Sequence, residues 1–441
     1  MPSSTDLMKM VTPELGNSQS HKTTTMKSTL KLRDYQEEIS DKAVSLLNKY
    51  RIAYLAMQVR TGKTLTAMAT AHKFGAKSVL FVTKKKAISD IVNQFSGSGI
   101  EMGIYVTNYE QLGNVHESFD LIIIDEAHSL SAFPVPSARA KELKRICFGK
   151  PIIYLSGTPN PESFSQLYHQ FWVSSYTPFE AYPNFYKWAT QFVSVKKMKI
   201  NGQSFNNYDS ADKKMVMDLC GHLFLTFTQE QAGFESLVNE HIHHVEMLES
   251  TYTLANRLRI DKVVRNKEGQ VVLGDTAVKL MQKLHQIYSG TVIVDEPERM
   301  AKVVDYSKVE YIKEKFNSLK IAIYYKFIAE EMAIRYVFGS ENLTNEATLF
   351  NESTNLIFIS QIQSGREGVN ISTADALIFL NIDFSAVSYW QARARIQTKD
   401  RVKDANIHWI FSKGGIEDKI YEAVMNKKDY TTYHFKKDYN I

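Results

Sequence analysis

A chain of 441 residues has room for two or three domains, and with 44% hydrophobic and 12% aromatic residues it can bury a core large enough to offset the entropy of ordering it. The formal net charge of +5 is compatible with a polyanionic partner. The two cysteines, Cys147 and Cys220, lie far apart and make neither a metal-ligand pattern nor a disulfide framework, so a reducing compartment is expected. No stretch has the apolar length of a membrane span and none resembles a signal peptide, which points to a soluble protein of the cytoplasm with no membrane partner.

Residues 1–29 are rich in Ser, Thr and Lys and read as a disordered arm. A helical pattern follows from Leu30 through Leu47. Short apolar runs then alternate with helical segments: Ala53–Met57, Val79–Val82, Leu121–Ile124 and Ile152–Leu155. Nearly uninterrupted branched aliphatics mark strands buried on both faces, as in a parallel sheet, so residues 30–160 read as a doubly wound α/β lobe. The helix beginning near Lys63 should end at Gly75, a residue suited to the left-handed C′ position.

Residues 161–300 read as a mainly helical insertion with one hairpin, signalled by Asn201-Gly202 between Val193–Ile200 and Phe205–Tyr208. Eleven aromatics fall between 164 and 192. Phe164, Leu167, Tyr168 and Phe171 keep helical spacing, as do Phe185, Trp188, Ala189 and Phe192, which favours core stripes over a platform for stacking bases. Strand–helix alternation returns in 301–425 with Ile321–Tyr325, Leu356–Ser360, Ala376–Leu380 and His408–Phe411, a second lobe, before a tail of 426–441.

Arg60-Thr61-Gly62-Lys63-Thr64 sits between an expected strand and an expected helix. Backbone N–H groups at such a helix start can cradle phosphate, with Lys63 reaching the β/γ-phosphates of ATP and Thr64 ligating Mg²⁺. Met57 stands where the leading glycine of a phosphate loop is usual. Leu121–Ile124 runs directly into Asp125-Glu126-Ala127-His128, which puts a carboxylate pair at a strand end. There Asp125 can hold Mg²⁺ and Glu126 can orient or deprotonate the attacking water.

Asp125-Glu126-Ala127-His128 resembles motif II of the superfamily 2 helicases, and further motifs stand in that family's order. Leu32-Arg33-Asp34-Tyr35-Gln36 resembles the adenine-reading segment, Val79 to Lys86 motif Ia, Val106 to Glu110 motif Ib and Ser156-Gly157-Thr158-Pro159 motif III. Ile321–Phe327 resembles motif IV, Gly365-Arg366-Glu367-Gly368-Val369-Asn370 motif V and Gln391-Ala392-Arg393-Ala394-Arg395 motif VI. The Ser-Gly-Thr-Pro motif, Asp375, Asp383-Phe384 and Gln282 to Gln286 resemble the Swi/Snf-type branch, in compact phage-like or bacterial form.

The resemblance implies two RecA-like, doubly wound parallel-sheet lobes with a largely helical insertion between them, together hydrolysing Mg·ATP. Catalysis would fall to Lys63, Asp125, Glu126 and Arg395. ATP would meet Arg33, Gln36, Arg60, Thr61, Gly62, Lys63, Thr64, Gly368, Asn370, Gln391 and Arg395, and Mg²⁺ would meet Thr64 and Asp125. Nucleic acid would meet Lys84, Lys85, Thr107, Asn108, Tyr109, Lys197, Lys326, Ser364 and Arg366.

Two positions depart from the family pattern. Thr398 replaces its second motif VI arginine, and Arg366-Glu367 replaces small or apolar residues in motif V. His241, His243 and His244 lack a nearby Cys that would complete a zinc pattern. The leading expectation is a monomeric helicase or translocase acting on duplex or branched DNA, in fork remodelling or branch migration. An RNA helicase, or a nucleotide-gated clamp with little turnover, are the alternatives.

Overall fold

The computed structural model describes residues 10–11, 31–160, 163–200, 203–233, 238–362, 371, 373–385, 389, 404–426 and 438. The chain divides into two compact units, Met1–Gly233 and Phe234–Ile441.

The first unit holds β1 (Met10–Val11), β2 (Ile52–Met57), β3 (Ser78–Thr83), β4 (Gly103–Asn108), β5 (Leu121–Ile124), β6 (Ile152–Leu155), the hairpin strands β7 (Lys196–Ile200) and β8 (Gln203–Asn207), and β9 (Phe224–Phe227). Its main sheet runs β1-β4-β3-β5-β6-β2-β9. β1 is antiparallel to β4, and every other neighbouring pair is parallel. Of the expected disordered arm, Met10–Val11 form this edge strand and the rest lies outside the described residues.

Alternation along these strands explains why both faces are covered. Tyr54, Leu80, Val82, Ile122, Ile124, Ile152 and Tyr154 point into one core. Ala53, Leu55, Val79, Phe81, Leu121, Ile123, Ile153 and Leu155 point into the other. Full burial of one such aliphatic or aromatic side chain contributes about 1.5–3 kcal/mol, so an uninterrupted apolar run is what a two-sided strand needs. The first core also receives Leu167, Tyr168, Phe171, Phe185, Trp188, Ala189 and Phe192, which confirms the aromatic stripes as packing.

The second unit holds β10 (Val238–Val245), the small pairs β11 (Val263–Arg265) with β12 (Val271–Leu273) and β13 (Thr291–Val294) with β14 (Met300–Val303), then β15 (Ile321–Tyr325), β16 (Leu343–Thr344), β17 (Ile357–Gln361), β18 (Ala376–Phe379) and β19 (Ala405–Ser412). Its main sheet runs β10-β19-β18-β15-β17-β16, all parallel. Each unit is therefore a doubly wound α/β lobe with six parallel strands, the RecA-like architecture expected.

The helical insertion expected over 161–300 is shared between the units rather than standing apart. Its β9 pairs with β2 in the first sheet and its β10 with β19 in the second. Neither strand stands out in the sequence as an apolar run, for a physical reason. Each lies at a sheet edge, β9 is only half-buried, and β10 reads Val-Asn-Glu-His-Ile-His-His-Val. Among the described residues no helix is long and apolar enough to cross a membrane.

Candidate active site

The phosphate loop leaves β2 and enters helix α2 (Lys63–Lys73) through two left-handed residues, Arg60 at φ +63° and Gly62 at φ +83°. Met57 is the fully buried last residue of β2, so the glycine usual there is not what this loop turns on. Gly62 is the N-cap of α2, which aims the orphan N–H groups of the first turn, Lys63 and Thr64 among them, at the loop's mouth. Thr61 is buried and donates its hydroxyl to the Gln58 carbonyl at 2.7 Å. Lys63 Nζ lies 3.4 Å from the same carbonyl. The helix ends as expected, with Gly75 at φ +87°.

Two segments clamp the loop. From helix α1 (Asp34–Tyr50), Tyr35 donates its hydroxyl to the Thr61 carbonyl at 3.0 Å and Gln36 donates its amide to the Gly62 carbonyl at 3.2 Å. Gln36 is buried, and its Oε1 accepts the Arg33 N–H at 2.9 Å. Its amide nitrogen thus supports the loop, while its amide oxygen caps the start of α1. Arg33 reaches Tyr35 with its guanidinium at 3.0 Å on the surface.

The second segment, β9, escaped sequence reasoning. Phe227 stacks on Tyr35 with ring centroids 4.6 Å apart, and its carbonyl accepts the Gln58 N–H at 2.9 Å. Gln229 donates its amide to the Val59 carbonyl at 3.1 Å and its N–H to Gln58 Oε1 at 2.8 Å.

Asp125 follows β5, and its carboxylate is held from both sides. Thr83, at the end of β3, donates its hydroxyl to Oδ2 at 2.8 Å, and the Glu126 N–H donates to Oδ1 at 3.0 Å. Burial first, then the neighbouring Glu126 charge, push Asp125 up to about 6, against the opposing pull of Thr83 and Lys63. A cation is the natural partner for so crowded a pair of acids. Asp125 and the Thr64 hydroxyl offer the hard oxygens that Mg²⁺ prefers, so these residues fit the ion. Glu126 has φ +49°, a left-handed turn that re-aims its side chain after the strand. Its Oε2 lies 3.3 Å from His128 Nδ1, which is 3.1 Å from Ser156 Oγ, and that oxygen accepts the Thr158 N–H at 3.1 Å. Motifs II and III are thereby joined.

The expected nucleic-acid residues divide. Lys85 is exposed and Lys84 half-buried where β3 ends, and Lys197 is exposed on the hairpin. The side chains of Thr107, Asn108 and Tyr109 are all buried. Asn108 Oδ1 accepts the Glu110 N–H at 3.0 Å, and Tyr109 donates its hydroxyl to the Asp125 carbonyl. Motif Ib thus braces motif II from within the lobe. The Lys326 ammonium pairs with Asp383 at 2.6 Å and rides over the Phe384 ring at 4.2 Å. Ser364, Arg366, Gly368, Asn370, Gln391 and Arg395 lie outside the described residues, as do Thr398 and Arg393. Of the histidines, His243 sits 2.9 Å from Tyr311 and from His408, and His244 pairs with Asp418 at 2.9 Å.

Residues 29–98 match the family model described as Type III restriction enzyme, res subunit. Among solved structures, the SWI2/SNF2 ATPase core of Sulfolobus solfataricus in complex with dsDNA is similar at 17% identity and a TM-score of 0.41, over 91% of this chain and 92% of that one. The same organism's SWI2/SNF2 ATPase core domain is similar at 16% identity and a TM-score of 0.40, over 91% and 89%. The family match covers the phosphate loop, and the Asp125-Glu126 pair stands at a strand end of the same parallel sheet.

Proposed function

We propose that the chain is a DNA-dependent motor of the Swi/Snf-type branch, tracking duplex or branched DNA with little sequence preference and serving fork remodelling or branch migration. One observation carries the reading. The phosphate loop, the Asp125-Glu126 pair and the Lys84-Lys85 step all leave the C-terminal edge of one parallel sheet, where such folds bind their ligands. Thr83, whose hydroxyl donates to Asp125, immediately precedes Lys84, so the carboxylate pair and these lysines adjoin.

Within this reading, Lys63 neutralises charge on the β/γ-phosphates and Glu126 positions the attacking water. Thr64 and Asp125 would hold Mg²⁺, which would supply positive charge to offset that of the phosphates. Arg395 completes the charge stabilisation from motif VI. Lys84 and Lys85 contact phosphates, which fix register on the duplex without reading bases. The protein works as a cytoplasmic monomer.

The test is ATP turnover by the full chain with single-stranded DNA, blunt duplex, branched DNA and single-stranded RNA. Duplex and branched DNA should stimulate at least as strongly as single strands, and binding should weaken steeply as salt rises because phosphate contacts release counterions. Stimulation by RNA alone would overturn the DNA reading.

A further inference from the structure

The hairpin of the first lobe is a two-stranded ribbon that no other strand joins among the described residues. Its register runs from Lys196 opposite Asn207 to Ile200 opposite Gln203, as the Asn201-Gly202 signal required. The base is fixed firmly. Val193 bridges Ala211, the Ser194 N–H donates to the Ser210 carbonyl at 3.0 Å, and the Asp212 N–H donates to the Phe192 carbonyl at 2.7 Å. Buried Ser163 and Ser165 donate their hydroxyls to the Asp209 and Tyr208 carbonyls at 2.7 and 2.6 Å.

Beyond that anchor the ribbon's composition is one-sided in charge. Residues 196–207 include Lys196, Lys197 and Lys199 and no acid. Phe205 is 48% exposed. The fold gains little from an aromatic there, and a lone exposed ring says little by itself. Its setting says more, because period-two alternation puts Phe205 on the face of Lys196 and Asn207, and Lys197 on the other face with Asn206 and Ser204. A rigidly based ribbon then offers a ring for an unstacked base and cations for the phosphates of both separating strands.

We propose that this hairpin engages the single-strand/duplex junction of branched DNA, with Phe205 stacking on the first unpaired base and Lys196 and Lys197 contacting the two backbones. The inference rests on the DNA reading given above. Lysines on a ribbon also guard exposed strand edges against pairing, a role that needs no DNA and no aromatic.

The experiment uses the full chain with a forked DNA carrying 2-aminopurine at the junction, alongside a blunt duplex of the same sequence. Wild-type protein should change the probe's fluorescence on binding and should separate the fork in the presence of ATP. Phe205→Ala should lose the fluorescence change and slow strand separation by about tenfold, within the range of one lost base–aromatic stack. It should keep the ATPase stimulated by blunt duplex, and Phe205→Trp should restore both losses. Lys197→Glu should weaken fork binding more than duplex binding. A Phe205→Ala protein with wild-type probe response and strand separation would overturn the inference. So would equal losses on fork and blunt duplex, or Lys197→Glu acting only through aggregation. If no DNA stimulates the wild-type ATPase, the DNA reading itself fails, which is a separate outcome.

Discussion

Gln36 and Gly62 meet beneath the phosphate loop so closely that a Cβ on Gly62 would lie 2.3 Å from Gln36 Nε2. The glycine is also at φ +83°, where an L side chain is strained. Both constraints fall on the residue that caps α2 and aims its first N–H groups.

Gly62→Ala should therefore weaken nucleotide binding by at least about tenfold, because left-handed strain alone costs roughly 1–2 kcal/mol and the clash with Gln36 adds to it. The double variant Gln36→Ala/Gly62→Ala should recover only part of the loss, since φ stays positive. Titration with a fluorescent ATP analogue measures both. Wild-type affinity in Gly62→Ala would show that the loop tolerates a side chain at this point.

Lys63 and Glu126 should fail in different ways. Lys63→Ala removes a phosphate-reaching cation and should lower both nucleotide affinity and turnover. Glu126→Gln spares Asp125, whose carboxylate remains held by Thr83 and by the residue 126 N–H, so ATP should still bind while turnover falls by a factor of about a thousand or more. Comparing Kd with single-turnover rates separates the two. Near wild-type hydrolysis by Glu126→Gln would remove this residue from the chemistry.

In the second lobe, Lys308 Nζ pairs with Glu417 Oε1 at 2.6 Å, with side chains 1% and 0% exposed. Ser412 Oγ sits 3.3 Å from both carboxylate oxygens. Glu417→Ala would strand a buried ammonium and should cost about 3–5 kcal/mol in urea unfolding of this lobe's transition. Lys308→Met/Glu417→Leu should cost less than Glu417→Ala, because no uncompensated charge is left. A double variant as unstable as the single would mean that packing, not charge, dominates the site.

Much of this was legible in the sequence, and the failures share a cause. Strands buried on both faces must be apolar throughout, so β2, β3, β5 and β6 were visible as runs. Edge strands β9 and β10 need no such run, and the clamp built from Phe227 and Gln229 stayed hidden with β9. Motif spacing located Asp125 and Lys63 but could not say which way neighbouring side chains turn. Thr107 and Asn108, at the end of a strand covered on both faces, and Tyr109 in the turn after it are all buried, and Lys326 pairs with a residue 57 positions away in sequence. Long-range pairings such as Lys308 with Glu417 leave no local signal at all.

The histidine cluster of the second lobe supplies a pH dependence. His408 Nδ1 lies 2.9 Å from His243 Nε2, His241 stacks on its ring at 4.8 Å, and Phe316 packs edge-on at 4.7 Å. Burial first, then the charges of His243, His241 and Lys315, push His408 down to about 4. An unfolded histidine titrates near 6.5. Between these values the unfolded chain binds more protons than the folded one, so stability rises with pH across that window. The lobe should hold its full stability above about pH 6.5, lose it progressively as pH falls towards 4, and lose no more from this group below that. His169 in the first lobe is also pushed down to about 4 by burial, and carboxylates titrate nearby in pH, so the informative quantity is a difference between proteins. His408→Gln cannot take up the proton and should show a shallower fall in urea midpoint from pH 6.5 to 4 than the wild type. The same variant should leave the midpoint's slope unchanged between pH 7 and 8. Identical slopes for the two proteins across the acidic window would mean that protonation of His408 costs the folded lobe nothing.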